Sequence, residues 1–190
     1  MTFSILNKKG GVGKTPIAFS IAKDFGFFLL SNDDSVIEEA YPDMAKIVDE
    51  NSMKFLKNCV YDFGGFVAPG VVEIIEKSDV VIVPVFADID ALKRTVKTIK
   101  EIEHKAKKIL VIVTKTERVE DFNFVNDAIK KFFPKVDVLE LKKSRIFNSV
   151  MESGQSVLEL ANESALTRYS YRHVIAQYNQ IISYLKGTKQ

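Results

Sequence analysis

Eight residues near the amino end, Lys8-Lys9-Gly10-Gly11-Val12-Gly13-Lys14-Thr15, restrict what this chain can become more than any other stretch. An apolar run (Phe3, Ile5, Leu6) stands directly before them and an amphipathic one (Ile17 to Phe25) directly after. Strand, glycine-rich turn and helix start is the context of a phosphate-binding loop, because unpaired backbone N–H groups and the helix dipole converge there on an anion. Gly10, Gly11 and Gly13 let the backbone bend tightly around a phosphate. Lys14 is placed to reach the β- and γ-phosphates, and the Thr15 hydroxyl to ligate Mg²⁺. The bland alternative is a glycine-rich turn with a few lysines, and it requires glycine spacing, Lys-Thr pair and strand-to-helix context to coincide.

At 190 residues the chain is the size of one large domain with a single core, 1–190. No run of eighteen apolar residues is present, which excludes a membrane-spanning helix. The amino end shows no signal-peptide anatomy, so the expected compartment is the cytoplasm. The single cysteine, Cys59, cannot form an internal disulfide and reads as a buried structural thiol. The net charge of +2 is unevenly spread. From Lys142 onward there are seven basic residues (Lys142, Lys143, Arg145, Arg168, Arg172, Lys186, Lys189) against three acidic ones, leaving twenty basic against twenty-two acidic before it. Such a C-terminal excess suits contact with a polyanion, and an ordinary solvated surface gives the same count. His104 and His173 have no spaced cluster of other metal ligands beside them, so both read as solvated helix positions.

Apolar patterning alternates between strand and helix along the whole chain. Pro16 fits the first position of a helix that continues to Phe25 and ends at Gly26. Phe27 to Leu30, Val60 to Gly65, Val80 to Val85, Ile109 to Val113 and Val136 to Leu141 read as strands. Helices are expected at 69–77, at 91–106 with Leu92, Val96, Ile99 and Ala106 inward, along Phe122, Val125, Ile129 and Phe132, and at Ile146 to Glu152. A last helix is expected from about Glu163 to Leu185. Residues 35–57 give only a weak helical spacing. The order implies an α/β domain with a mostly parallel twisted sheet and helices on both faces.

Two acids, Asp33 and Asp62, fall where strands end, and polar groups at such ends serve ligands in open α/β sheets. Both are candidates to face the γ-phosphate and the metal, since Mg²⁺ takes one or two carboxylates with phosphate oxygens. A turn or helix-cap role is the alternative for each.

The segment Lys9-Gly10-Gly11-Val12-Gly13-Lys14-Thr15 resembles the deviant Walker A loop of the ParA/MinD class of P-loop ATPases. The resemblance extends through Ser78-Asp79-Val80-Val81-Ile82-Val83-Pro84-Val85. From Leu139 through Gly154-Gln155-Ser156-Val157 it is nearest to the small ParF-like plasmid partition ATPases. It implies the P-loop NTPase fold, ATP/ADP and Mg²⁺ as cofactors, and nucleotide contacts along Lys9, Gly10, Gly11, Val12, Gly13, Lys14, Thr15 and Pro16. It also implies that Lys9 crosses to the phosphates of a second copy in an ATP-bound homodimer. Asp33 matches the acid that orients the attacking water, within Ser31-Asn32-Asp33-Asp34-Ser35, where the family usually has Asp-x-Asp-Pro-Gln. Asp62-Phe63-Gly64-Gly65 keeps only the acid of the family's Asp-Thr-Pro-Pro. Pro16 replaces the usual Thr or Ser and offers neither hydroxyl nor N–H to the α-phosphate.

The function so implied is a dimerising ATPase for DNA partition, associated with the nucleoid. It binds DNA without sequence preference through candidates Lys142, Lys143, Arg145, Arg168 and Arg172, and a centromere-binding-protein-type stimulator of slow hydrolysis releases it. A MinD-like membrane-associated positioning ATPase is the alternative, and it requires a basic amphipathic tail where only Lys186 and Lys189 stand. A nucleotide-binding scaffold with little turnover is a third, motivated by Ser31, Pro16 and the altered surroundings of Asp62.

Overall fold

The computed structural model describes residues 1–33, 35–49, 52–64 and 69–188; Asp34, Gly65 and Lys189, which enter the reading above, lie outside them. The elements follow in the order β1 (Thr2–Leu6), α1 (Lys14–Phe25), β2 (Phe28–Ser31), α2 (Ile37–Ala40), β3 (Ala45–Ile47), β4 (Cys59–Phe63), α3 (Pro69–Lys77), β5 (Val80–Phe86) and α4 (Ile89–Ile102). They continue with β6 (Ile109–Thr116), α5 (Val119–Phe132), β7 (Asp137–Lys142), α6 (Ile146–Ser153), α7 (Val157–Glu163), α8 (Ala165–Ser170) and α9 (Arg172–Gly187). Every pairing in the sheet is parallel, in the order β3-β2-β4-β1-β5-β6-β7.

Period-two alternation divides the core between the two faces of this sheet. On β5, Val80 and Ile82 join Phe3, Ile5 and the inner sides of α1, α6, α7 and α9. Val81, Val83 and Val85 join Tyr61, Phe63 and the inner sides of α3, α4 and α5. Both faces are therefore covered, which is why the strands read as continuous apolar runs. β1 lies at the centre, and the chain leaves it through α1 toward β2 on one side while β5 pairs on the other. This reversal of direction opens a crevice at the C-terminal end of β1, where the glycine-rich loop begins.

Several expectations are corrected. The weakly helical stretch contains instead the short helix α2 and the three-residue edge strand β3, paired with β2. The single last helix is two, α8 and α9, with α7 ending where it was expected to begin, because Ser164 adopts extended backbone and caps α8 by accepting from the Thr167 N–H at 3.0 Å, and α9 restarts at Arg172. In α4, Leu92 and Val96 are only half-buried, and the stripe is completed by Thr95 and Thr98, both buried. At the end of α5 it is Phe133 that enters the core, while Phe132 is exposed. Pro16 occupies the third position of α1 rather than the first, still within the opening turn whose N–H groups have no intrahelical partner. Cys59 is buried as expected, and burial pushes its thiol up to about 12. Among the described residues no helix is long and apolar enough to cross a membrane.

Candidate functional site

The loop between β1 and α1 is fixed from below by Asn7, which is fully buried. Its side-chain amide donates to the Pro84 carbonyl and to the Thr95 hydroxyl, each at 2.7 Å, and its Oδ1 accepts from the Lys9 N–H at 3.0 Å. Lys8 points to Glu101 and Lys9 to Asp90, so both lysines lean on α4. Gly11 (φ 73) and Gly13 (φ 89) take left-handed backbone that a side chain would strain, and Gly13 caps α1. Among the described residues the N–H groups of Gly13, Lys14 and Thr15 find no acceptor, so they are free to bind an anion at the positive end of the helix.

Lys14 is buried, 8% exposed, and no carboxylate lies within 4 Å of its amine among the described residues. Thr15 donates its hydroxyl to Oδ2 of Asp62 at 2.6 Å. Asp62 itself is 0% exposed, and its other oxygen, Oδ1, is buried with no hydrogen-bond partner among the described residues. Burial raises its carboxyl to about 6; the Thr15 hydrogen bond and the nearby Lys14 charge oppose that rise, and the Asp33 charge adds to it.

Asp33 is exposed at the end of β2 and is brought to the same place because Ser31 and Asp62 are paired across β2 and β4. The Ser31 hydroxyl accepts from the Asp33 N–H at 3.0 Å, and Gly64 N–H donates to Asn32 Oδ1 at 2.6 Å, tying the two strand ends together. A Cβ on Gly64 would stand 3.6 Å from the Asp33 carboxyl carbon, an ordinary van der Waals contact, so the two strand ends lie side by side. Thr15, Asp33 and Asp62 thus gather at one crevice. Among the described residues no group of three acids, histidines or cysteines could hold a metal, so a cation here would take remaining oxygens from a bound phosphate.

A cavity of about 790 Å³ opens beside the loop. Gly13, Pro16 and Ile17 form one wall, and Lys142, Lys143, Arg145 and Phe147 the other. The basic residues read from sequence as one set therefore fall into two. Lys142, Lys143 and Arg145 border this cavity, with Lys143 paired to Glu117 at 2.6 Å. Arg168 and Arg172 stand on α8 and at the start of α9, outside its lining. Arg168 donates to Asn162 Oδ1 at 3.1 Å, and Arg172 donates to the Tyr169 carbonyl at 2.9 Å and covers its ring at 4.5 Å. Asp90, Asn7, Thr114 and Lys115 also touch the loop, and no spacing or motif in the sequence singled them out.

No protein-family model and no curated protein matches the sequence. Solved structures do match in three dimensions. Apo McdA from Cyanothece superposes with a TM-score of 0.69 at 13% identity, covering 97% of this chain and 98% of that one. Its ATP-bound variant gives 0.66 at 14% identity, over 100% and 97%. The septum site-determining protein MinD of Pyrococcus horikoshii, complexed with Mg-ADP, gives 0.61 at 16% identity, over 100% and 99%. A ParA-family ATPase from Chlorobium tepidum gives 0.61 at 15% identity, over 88% and 94%. The parallel sheet, the loop after its central strand and these superpositions give the chain the P-loop NTPase fold of the ParA/MinD class of ATPases.

Proposed function

We propose that this protein is a Mg²⁺-ATP-dependent switch ATPase of the ParA/MinD type. In this reading ATP at the phosphate loop draws two copies together through Lys9. The pair binds DNA without sequence preference, and hydrolysis, stimulated by a centromere-binding-protein-type partner, releases it. One observation carries the reading: beside Thr15 stand a buried ammonium, Lys14, with no carboxylate within 4 Å, and a buried carboxylate oxygen, Asp62 Oδ1, with no hydrogen-bond donor among the described residues. Unpaired buried charge is costly, so such an arrangement suits a ligand that brings both an anion and a cation.

A nucleotide phosphate answers Lys14 and the free N–H groups of the loop, and Mg²⁺ answers Asp62 and the Thr15 hydroxyl, which are the hard oxygen donors this ion prefers. When bound, Mg²⁺ would neutralise charge on the phosphates. Asp33, exposed at the crevice mouth, is placed to orient water. ATP in a McdA variant and Mg-ADP in a MinD support the choice of cofactor. Arg168 and Arg172, exposed on the C-terminal helices, are the favoured DNA contacts, because Lys142, Lys143 and Arg145 border the cavity beside the loop.

Calorimetric titration of ATP and ADP, with Mg²⁺ and with a chelator, tests the reading directly. Binding should require Mg²⁺ for full affinity and should vanish in Lys14→Ala. Phosphate release should be abolished by Asp33→Ala, whereas a wild-type protein that binds nucleotide without any release supports the scaffold alternative. Light scattering should show a dimer with a non-hydrolysable ATP analogue and not with ADP. Failure of the wild type to bind either nucleotide rejects the proposal.

A further inference from the structure

We infer that Thr114 and Lys115, at the C-terminal end of β6, hold the phosphate loop in its anion-binding shape, with Lys115 a positioning residue for nucleotide; this rests on the phosphate-loop reading above. Lys115 has left-handed backbone, φ 58. A lysine adopts that conformation only where its surroundings impose it. The pairing of β6 with β7 shifts register between Thr114 and Thr116, so Lys115 is the residue displaced at a bulge. Displaced in this way, its side chain reaches the phosphate loop, where the amine donates to the Gly11 carbonyl at 2.8 Å. The neighbouring Thr114 hydroxyl lies 3.0 Å from the Val12 carbonyl, with the Val85 carbonyl at 3.2 Å as a second acceptor.

The consequence follows from the planarity of the peptide bond. In a trans peptide the C=O of one residue and the N–H of the next point in opposite directions. Two successive carbonyls turned toward β6 therefore turn the N–H groups of Val12 and Gly13 away from it. Gly11 and Gly13 are left-handed, while Val12 between them is not, and this alternation of hand gives successive N–H groups a concave, anion-binding arrangement. β6 thus grips from outside the two peptides that close on a phosphate from inside. Holding them before the ligand arrives removes a reorganisation that binding would otherwise have to drive. Both residues also line the cavity beside the loop, so they face whatever part of the ligand extends past Gly13.

Two variants of the full-length protein separate this role from a merely structural one. Lys115→Gly deletes the amine and suits the left-handed backbone, while Lys115→Met keeps most of the aliphatic stem. Titration of Mg-ADP and Mg-ATP should show roughly tenfold weaker binding of both nucleotides in each variant, the size expected for a hydrogen bond from a charged donor. Lys115→Arg should recover part of that loss. The nucleotide-free Lys115→Gly protein should melt at or above the wild-type temperature. Wild-type affinity in both variants overturns the inference, as does a loss of affinity matched by a lower melting temperature in each. If the wild-type protein binds neither nucleotide, the phosphate-loop reading fails first; if it binds and the variants bind equally well, only this inference falls.

Discussion

The ammonium of Lys9 lies 3.0 Å from Oδ2 of Asp90, which also receives Arg94 at 3.1 Å. The lysine proposed to complete a second copy's site is therefore held on its own α4, and its hydrogen bond keeps the Asp90 carboxyl below the usual range. The contact is exposed and must open before the side chain can cross to a partner. Asp90→Ala should shift ATP-dependent pairing to lower protein concentration by a few-fold, and Lys9→Ala should abolish pairing. Light scattering across a concentration series reads both. Unchanged pairing in Asp90→Ala means that the contact does not restrain the lysine.

Asp62 makes the site dependent on pH. Its folded value of about 6 lies above the ordinary 3.8 because burial disfavours the carboxylate. The folded chain therefore holds more protons than the unfolded chain between those values, and this group's contribution to stability falls as pH rises through them. The proposed Mg²⁺ binding has the opposite dependence, since it would need the carboxylate, so Mg-nucleotide affinity should rise from pH 5 to pH 7. Asp62→Asn should melt a few degrees higher without ligand, bind Mg-nucleotide poorly and lose that pH dependence. Thermal melts and titrations at three pH values decide it.

Pro16 sits in the first turn of α1 and lines the cavity with neither an N–H nor a hydroxyl to offer a phosphate. Pro16→Thr restores both and should tighten ATP binding severalfold. Equal affinities in a paired titration reject a phosphate contact at this position.

Gly154 closes α6 in left-handed backbone, φ 67, and a Cβ there would stand 2.9 Å from the Ala40 carbonyl oxygen. Its own carbonyl accepts from Lys23 at 2.6 Å, so α1, α2 and α6 meet at one turn. Gly154→Ala adds left-handed strain to a clash with backbone and should cost about 2 kcal/mol or more in a denaturant titration.

Arg168 and Arg172 provide the test of the polyanion. If both neutralise DNA phosphates, replacing them with alanine should weaken binding equally across sequences and reduce the salt slope by about 2. An unchanged slope in fluorescence anisotropy assigns them to the protein surface alone.

Local pattern made most of the framework readable. Buried parallel strands such as Val80–Phe86 announce themselves because both faces are covered, and the phosphate loop because glycine spacing and the Lys-Thr pair serve one short-range geometry. Where the outcome depended on distant neighbours, pattern failed. β3 is three half-buried or exposed residues that are a strand only because β2 pairs with them. Thr95 is inward because Asn7 offers it a hydrogen bond across 88 positions, and Phe133 displaced Phe132 where the helix ended.

Sequence alone determined the alternation of the main strands and helices, the loop and the two strand-end acids, because each is written in residues a few positions apart. Tertiary structure decided what those residues face. It buried Asp62 with one oxygen unmatched among the described residues, rested Lys9 on Asp90, and brought Lys115 to Gly11 across 104 positions. Such contacts arise from the order in which parallel strands stack around β1, and no local periodicity encodes that order.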